Sequence, residues 1–512
     1  MNKTVAFVIY HVDFIENLGL PYLSAVAKKA GWKTDLIVFD KNTVDSDMKR
    51  INPDIIAYST MSADAAIYKK INEYLKSRYD FVSIMGGPHP TYFPDVRFEE
   101  GLDFICRGEG EAAFAEFLEK FEKNEDLETI QNIGNKNVLN PLRKLEADLD
   151  NLPLPDRDLT FGKTELAGSH LKIFMSSRGC PFTCTYCFNN PLNEMQAGLG
   201  KRHRTFSPER IVEEIDAVRA KYPLSFIKFQ DDLFAPKTSW LADFSKVYAS
   251  KVGLPFNALE RLDLVTEERL KLLKEAGCQS LTFAIDSANP DIRTHILERG
   301  MRIPNEEIIE RLKLVRSHGI HTMTNFILGV PTSTVQDELD AVDINVRGRV
   351  SLGITSTLVP YPGTAIYNYC VKHKLLDSDI SMAETKRPLV QMIEDNQFSS
   401  IQKKSILNCF TEKEKSVLLN VSTVFSVMCA IPWLKPVLFK LCKTMTPNRM
   451  FVYLAIMVKG YKTDRYIYPT RMPFSRKLRF LLKALRIEGG RMMGKKADLM
   501  ASEQKARFQE AA

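Results

Sequence analysis

Three cysteines within eight residues, Cys180-Pro-Phe-Thr-Cys184-Thr-Tyr-Cys187, constrain this chain more than any other stretch. They follow a short extended run, LKIFMSSRG, and open a loop rich in Asn, Gly and basic residues. Thiolates at spacings of four and three can close around one compact centre, and soft sulfur ligands select zinc or iron–sulfur clusters over hard ions. A structural zinc site wants four ligands, and no second Cys-x-x-Cys or His pair follows where a ribbon or finger would place it. Three thiolates without a fourth predict a 4Fe–4S cluster on Cys180, Cys184 and Cys187 with one iron left open. Zinc and an accidental trio of buried cysteines are the alternatives.

With Tyr186 just before the last cysteine, the loop resembles the signature of the radical SAM enzymes. The resemblance implies that the open iron is chelated by S-adenosylmethionine, whose reductive cleavage yields a 5′-deoxyadenosyl radical. The spacing by itself establishes only an open-sided thiolate site.

The surroundings agree. From about residue 170 to 365 the candidate strands LKIFMSSRG, SFIKFQDD, PFNALER, SLTFAIDS, HTMTNFILG and GITSTLVPYPGT alternate with segments of helical periodicity. Ser207 with Pro208 starts one helix, and Gly277 and Gly319 follow the ends of two others. Six such units predict a partial (β/α)6 barrel, whose chemistry belongs at the carboxyl ends of its strands. There fall the cysteine loop, Asp231, Asp232, Arg261, Asp286, Ser287 and Gly329. An amino acid moiety and a ribose call for carboxylates, an arginine and small polar groups, so these residues are the candidate SAM contacts. Ordinary caps and salt bridges are the alternative for each. The resemblance places Tyr186 beside the adenine. Relatives often carry Gly-Ile-Glu-Ser where this chain has Ala284-Ile285-Asp286-Ser287, a carboxylate of shorter reach.

Residues 1–125 read as a doubly wound α/β domain with five buried strands, KTVAFVIY, TDLIVFD, PDIIAYST, FVSIMGG and DFICRG. Ligands of such folds lie beyond the carboxyl strand ends, where Ser59, Thr60, Gly86, Gly87, Gly108, Glu109 and Gly110 fall. Glycines there admit a large ligand or simply make tight turns. The pattern GGPHPTYFPD followed by CRGEGE is similar to the cobalamin-binding domain that precedes the barrel in one radical SAM subfamily, and implies cobalamin at these residues. No Asp-x-His-x-x-Gly occurs, so a histidine lower ligand is not expected, and His89 is read as a loop histidine without metal.

At 512 residues the chain exceeds one ordinary core, and four segments are expected. They are a Rossmann-type domain at 1–125, a proline-marked linker at 126–168, the barrel at 169–365 and a helical, basic region at 366–512. Nine cysteines, three of them committed to the loop and the others scattered, do not look like a disulfide framework, which fits a reducing cytoplasm. MNKTVAFVIY reads as a first strand, not a signal peptide. The run VLLNVSTVFSVMCAIPWLKPVLFKLC is interrupted by Asn420, Pro432, Lys435 and Pro436, so a helical cap over the barrel mouth is expected in place of a membrane span. From Lys459 to Lys496 twelve Lys or Arg stand against two acids, while the whole chain carries +7. Interleaved with aromatics and Leu, this stretch is a candidate for peripheral contact with the inner membrane face, a solvated helix face being the alternative. ASEQKARFQEAA reads as a frayed or helical tail.

The resemblance implies a cobalamin-dependent radical SAM methyltransferase that methylates an unactivated carbon, or a cyclase, coupling or oxidative enzyme built from the same parts. It implies a small-molecule, lipid or peptide substrate, an electron donor such as flavodoxin or ferredoxin, and no nucleic acid partner. A tRNA methylthiotransferase would carry a second cysteine trio near the amino terminus, where only Cys106 occurs. A non-catalytic corrinoid sensor would need no cysteine loop.

Overall fold

The computed structural model describes residues 3–12, 16–62, 64–376, 410–446 and 449–470, with 475, 477, 478 and 482 beyond them. The ASEQKARFQEAA tail and most of the basic stretch after Thr470 lie outside the described residues. The chain divides into two compact units. The first comprises Met1–Ser169, Glu194–Phe206 and Glu213–Pro223; the second comprises His170–Asn193, Ser207–Val212 and Leu224–Ala512.

In the first unit β1 (Thr4–Ile9), β2 (Lys33–Val38), β3 (Ile55–Ser59), β4 (Val82–Gly86), β5 (Phe104–Cys106) and β6 (Ile133–Gly134) form one sheet in the order β2-β1-β3-β4-β5-β6. The first five are parallel, with Phe7 opposite both Leu36 and Ala57. Val5, Ala6, Phe7 and Val8 are wholly buried, as expected of a parallel strand covered on both faces. Helices α1 (Gly19–Lys29), α2 (Val44–Ile51), α3 (Ala65–Lys76), α4 (Pro88–Tyr92) and α5 (Glu111–Glu122) make the crossovers. The sixth strand adds to the five read from sequence: Ile133–Gly134 runs antiparallel to β5, and two residues are too few to leave an alternating pattern. Further along, Arg157 is buried between Glu16 at 2.7 Å and Glu214 at 2.9 Å, anchoring a segment expected to be extended linker.

The second unit holds β7 (Leu171–Phe174), β8 (Phe226–Phe229), β9 (Phe256–Glu260), β10 (Cys278–Asp286), β11 (His321–Leu328) and β12 (Leu352–Thr357). All are parallel and lie in strict chain order, the topology of a partial barrel. Its helices are α7 (Thr238–Lys251), α8 (Glu267–Glu275), α9 (Asn305–Ser317) and α10 (Val335–Arg347), preceded by α6 (Pro208–Arg219), of which only the start to Val212 belongs to this unit. Pro208 opens α6, and Gly277 (φ 94°) and Gly319 (φ 71°) supply the left-handed residues after α8 and α9.

Among the described residues, the long apolar run expected to cap the barrel mouth lies elsewhere. After α11 (Ala365–Lys372), α12 (Glu412–Ala430) lies along the edge strand β12, where Ser426 Oγ donates to the Gly353 carbonyl at 2.7 Å. Beyond α13 (Lys435–Thr444) and α14 (Arg449–Lys462), the chain reaches the amino ends of the strands. There Ser280 Oγ donates to the Ile467 carbonyl at 2.8 Å, and Tyr466 packs on His321 at 4.9 Å between ring centroids. Among the described residues α12 and the chain after α14 therefore cover the open edge and the base of the sheet, while α11 packs beside Tyr186 of the cysteine loop. An uncovered edge strand exposes unpaired N–H and C=O groups, but helical periodicity does not say which edge a helix will cover.

Candidate active site

The cysteine loop leaves β7 through Ser176 and Ser177, and Asp231, just past β8, holds that exit. Its carboxylate accepts from the Ser176 and Ser177 N–H groups at 2.8 and 2.6 Å and from their hydroxyls at 3.0 and 2.7 Å. Burial pushes its pKa up to about 7, against the pull of those four bonds. Further ties fix the loop itself. Asn193 Nδ2 donates to the Cys180 carbonyl at 3.0 Å, Thr185 Oγ1 to the Ile296 carbonyl at 2.6 Å, and the Ile366 N–H to the Thr185 carbonyl at 3.0 Å.

Cys180, Cys184 and Cys187 line a cavity of about 270 Å³ at the carboxyl ends of the strands, together with Tyr186, Asp231, Asp232, Arg261 and Arg299. Burial pushes the Cys187 thiol up to about 11 and raises Cys180 as well. Metal uptake must therefore expel protons. Among the described residues no three His, Cys, Asp or Glu side chains converge on a single-ion site. The thiolates of a four-iron cluster sit on separate irons and need no such convergence. Three soft thiolates on one cavity are a donor set that fits a 4Fe–4S cluster.

Opposite the thiols, β10 breaks register with β11 between Ala284 and Asp286, and Asp286 takes a left-handed backbone (φ 71°). The bulge aims its carboxylate at two partners: the Tyr186 hydroxyl donates to it at 2.6 Å and Arg299 Nε pairs with it at 2.8 Å. Burial raises the Asp286 pKa, offset by Arg299 and Tyr186. Arg299 also donates to the Ala284 carbonyl and, through Nη1, to Cys184 Sγ at 3.5 Å. Asp232 carries a pKa raised by burial and moderated by the Asn189 side chain. Arg261 is engaged within the wall: it grips Asp263 at 3.0 and 2.6 Å, donates to the Arg299 carbonyl at 2.9 Å and lies 3.7 Å over the Phe182 ring.

Ser287 and Gly329 are not among the residues lining that cavity. Ser287 caps a turn, its hydroxyl accepting from the Asn289 N–H at 3.1 Å. Gly329 (φ 72°) donates its N–H to Glu338, a carboxylate that burial pushes up to about 8. Sequence reasoning missed Arg299, Asn189 and Phe182. The signal for Arg299 was there: an arginine before Gly300 in the loop following the acidic strand end.

In the first unit the other candidates sit at the carboxyl ends of β3, β4 and β5. Thr60 is fully buried, its N–H donating to the Gly86 carbonyl at 2.9 Å while its own carbonyl accepts from His89 N–H at 3.0 Å. At Gly87 (φ 96°) a Cβ would meet the Thr60 backbone at 2.8 Å, so this glycine is demanded by the approach of two loops. Gly108 (φ 68°) donates to Thr91 Oγ1 at 2.9 Å, Gly110 begins α5, and Ser59 ends β3. Glu109 is paired with the buried Arg204. These strand ends present mostly backbone and small side chains, which fits a broad flat macrocycle. Burial drops the His89 pKa to about 4, leaving a neutral ring whose Nδ1 meets Ser62 Oγ at 3.2 Å.

Comparison with known proteins assigns a family to the domain of each unit. The pattern of the radical SAM superfamily matches residues 174–343, and that of the B12 binding domain matches residues 7–118. An uncharacterized methyltransferase of Pyrococcus horikoshii is 30% identical over 381 residues, spanning 70% of this chain and 79% of its own. Cytidylyl-2-hydroxyethylphosphonate methyltransferase of Streptomyces wedmorensis is 22% identical, over 71% of this chain and 79% of its own. The radical SAM methyltransferase TsrM of Kitasatospora setae, solved with cobalamin and a [4Fe-4S] cluster bound, shares the fold at TM-score 0.64 and 14% identity. That match covers 95% of this chain and 99% of TsrM. Fold and site together define a radical SAM enzyme with a B12-binding domain. The chain belongs to the cobalamin-dependent radical SAM methyltransferase family.

Proposed function

We propose that this protein methylates an unactivated carbon of an amphiphilic small molecule. The observation that carries the reading is one cavity lined at once by three thiols, the Asp232 carboxylate, Tyr186 and Arg299, the last two joined behind it through Asp286. When bound, the 4Fe–4S cluster and SAM supply the 5′-deoxyadenosyl radical that removes hydrogen, and cobalamin carries the methyl group.

The chain's residues divide that work. Cys180, Cys184 and Cys187 hold the cluster. Asp232 and Asp286 receive the ammonium and hydroxyls of SAM, and Tyr186 lies beside its adenine. Asp231 and Arg261 hold the walls, with Ser287 and Gly329 on the turns behind them. Ser59, Thr60, Gly86, Gly87, Gly108, Glu109 and Gly110 cradle cobalamin. The functional division is 1–125 for the corrinoid, 126–168 as connection, 169–365 for radical generation and 366–512 for partners. A cytoplasmic carrier such as flavodoxin or ferredoxin delivers the electron. The basic carboxyl-terminal stretch rests on an anionic membrane surface, where an amphiphilic substrate would be met.

Anaerobic turnover with methyl-deuterated SAM, read by mass spectrometry, tests the reaction. Label in the product supports methyl transfer, whereas 5′-deoxyadenosine with an unlabelled product replaces it with ring closure or oxidation. Cys184→Ala is expected to lose the cluster's iron and all 5′-deoxyadenosine formation; cleavage of SAM at an undiminished rate would sink the cluster assignment.

A further inference from the structure

Helix α14 is apolar on both sides. Phe451, Val452 and Ala455 are buried, and the helix packs on α12. Met450, Tyr453, Leu454, Met457 and Tyr461 recur at helical spacing on the opposite side and are exposed, Met450 by 60%, Met457 by 50% and Tyr461 by 62%. Just before and within α13, Trp433 is 76% and Val437 55% exposed. An apolar face of this kind costs free energy in water unless something covers it.

Its charge selects the cover. From Ile431 to Thr470 there are seven Lys or Arg and one acid, Asp464, and Asp464 is paired with Lys477 at 2.8 Å. Lys440, Lys443, Lys459 and Lys462 interleave with the apolar positions. Trp, Tyr, Met and Leu flanked by lysines are the chemistry of a helix lying in a membrane interface, its apolar side chains at the acyl boundary and its ammoniums among phosphates. A second copy would bring the same positive field against itself. Among the described residues no helix is long and apolar enough to cross a membrane, so such a surface would lie on the bilayer. We infer that the outer face of Trp433, α13 and α14 seats on anionic lipid headgroups. This rests on the proposed membrane contact of the carboxyl-terminal region and narrows it to residues before Thr470.

The test uses the full-length, cluster-loaded protein and vesicles of phosphatidylcholine with or without phosphatidylglycerol. Flotation is expected with the anionic vesicles only, weakening as salt rises. Brominated lipid is expected to quench a component of tryptophan emission that Trp433→Phe removes. Combined Met450→Ser, Met457→Ser and Tyr461→Ser is expected to weaken binding about tenfold or more, with iron content unchanged. Flotation that survives this variant and disappears only when residues after Thr470 are removed overturns the inference while leaving a membrane contact in the tail. No flotation with either vesicle overturns both. A concentration-dependent dimer abolished by the triple variant assigns the face to a second copy and overturns the lipid assignment.

Discussion

Arg299 joins the two sides of the site, with one nitrogen 2.8 Å from Asp286 and another 3.5 Å from Cys184 Sγ. Hydrogen bonds to cluster sulfurs and the net charge nearby set the reduction potential of an iron–sulfur centre. A guanidinium beside a ligating sulfur favours the reduced, more negative cluster, and the Asp286 carboxylate partly cancels it. Arg299→Met is therefore expected to lower the cluster midpoint by roughly 60 mV, a tenfold change in a one-electron equilibrium. Asp286→Asn is expected to raise it. Titration followed by electron paramagnetic resonance without SAM reads both, with iron content as the control. Shifts of the same sign in the two variants would reduce this pair to a scaffold. Asp286 also carries backbone strain of about 1–3 kcal/mol in its left-handed conformation, held by Tyr186 and Arg299, and nothing in the local sequence announces it.

Among the elements, the docking of α12 on β12 depends on Gly353. A Cβ there would meet Asn345 Oδ1 and Cys429 Sγ at 3.0 Å and Phe425 Cε1 at 3.1 Å. Gly353→Val is expected to cost about 1–3 kcal/mol through overpacking, seen as a lower Tm and earlier proteolysis after residue 365. In the first unit, Arg157→Met leaves Glu16 and Glu214 buried without their shared cation. Loss of about 3–5 kcal/mol is expected, measurable by urea denaturation; a loss below 1 kcal/mol would show that water or another cation reaches them. These contacts mark where the sequence stops being legible. The parallel strands could be read because each is a continuous apolar run bounded by turn residues, and the cysteine loop because its ligands are adjacent in the chain. Arg299 meets Cys184 across 115 residues, β6 is two residues long, and the partner of α12 depends on which edge is open. Long-range geometry of this kind leaves no local pattern.

For the whole molecule, the buried acids decide how stability follows pH. Burial raises Asp231 to about 7 and Glu338 to about 8 from ordinary carboxylate values near 4. Each group is more readily protonated in the folded than in the unfolded chain, so folding takes up protons between about pH 4 and pH 8. Their contribution is fully present below the unfolded pKa and is lost as pH rises through the folded one. The protein is therefore expected to melt several degrees higher near pH 6 than near pH 8.5, with about 2–4 °C for each kcal/mol in domains of this size. Glu338→Gln keeps a carbonyl acceptor for the Gly329 N–H and removes the titration. The slope of Tm against pH is then expected to flatten by roughly half, leaving the shares of Asp231 and of Glu260, which burial also raises to about 7. An unchanged slope in Glu338→Gln would mean that Glu338 is ionised in the folded protein at neutral pH, stabilised by a donor besides Gly329.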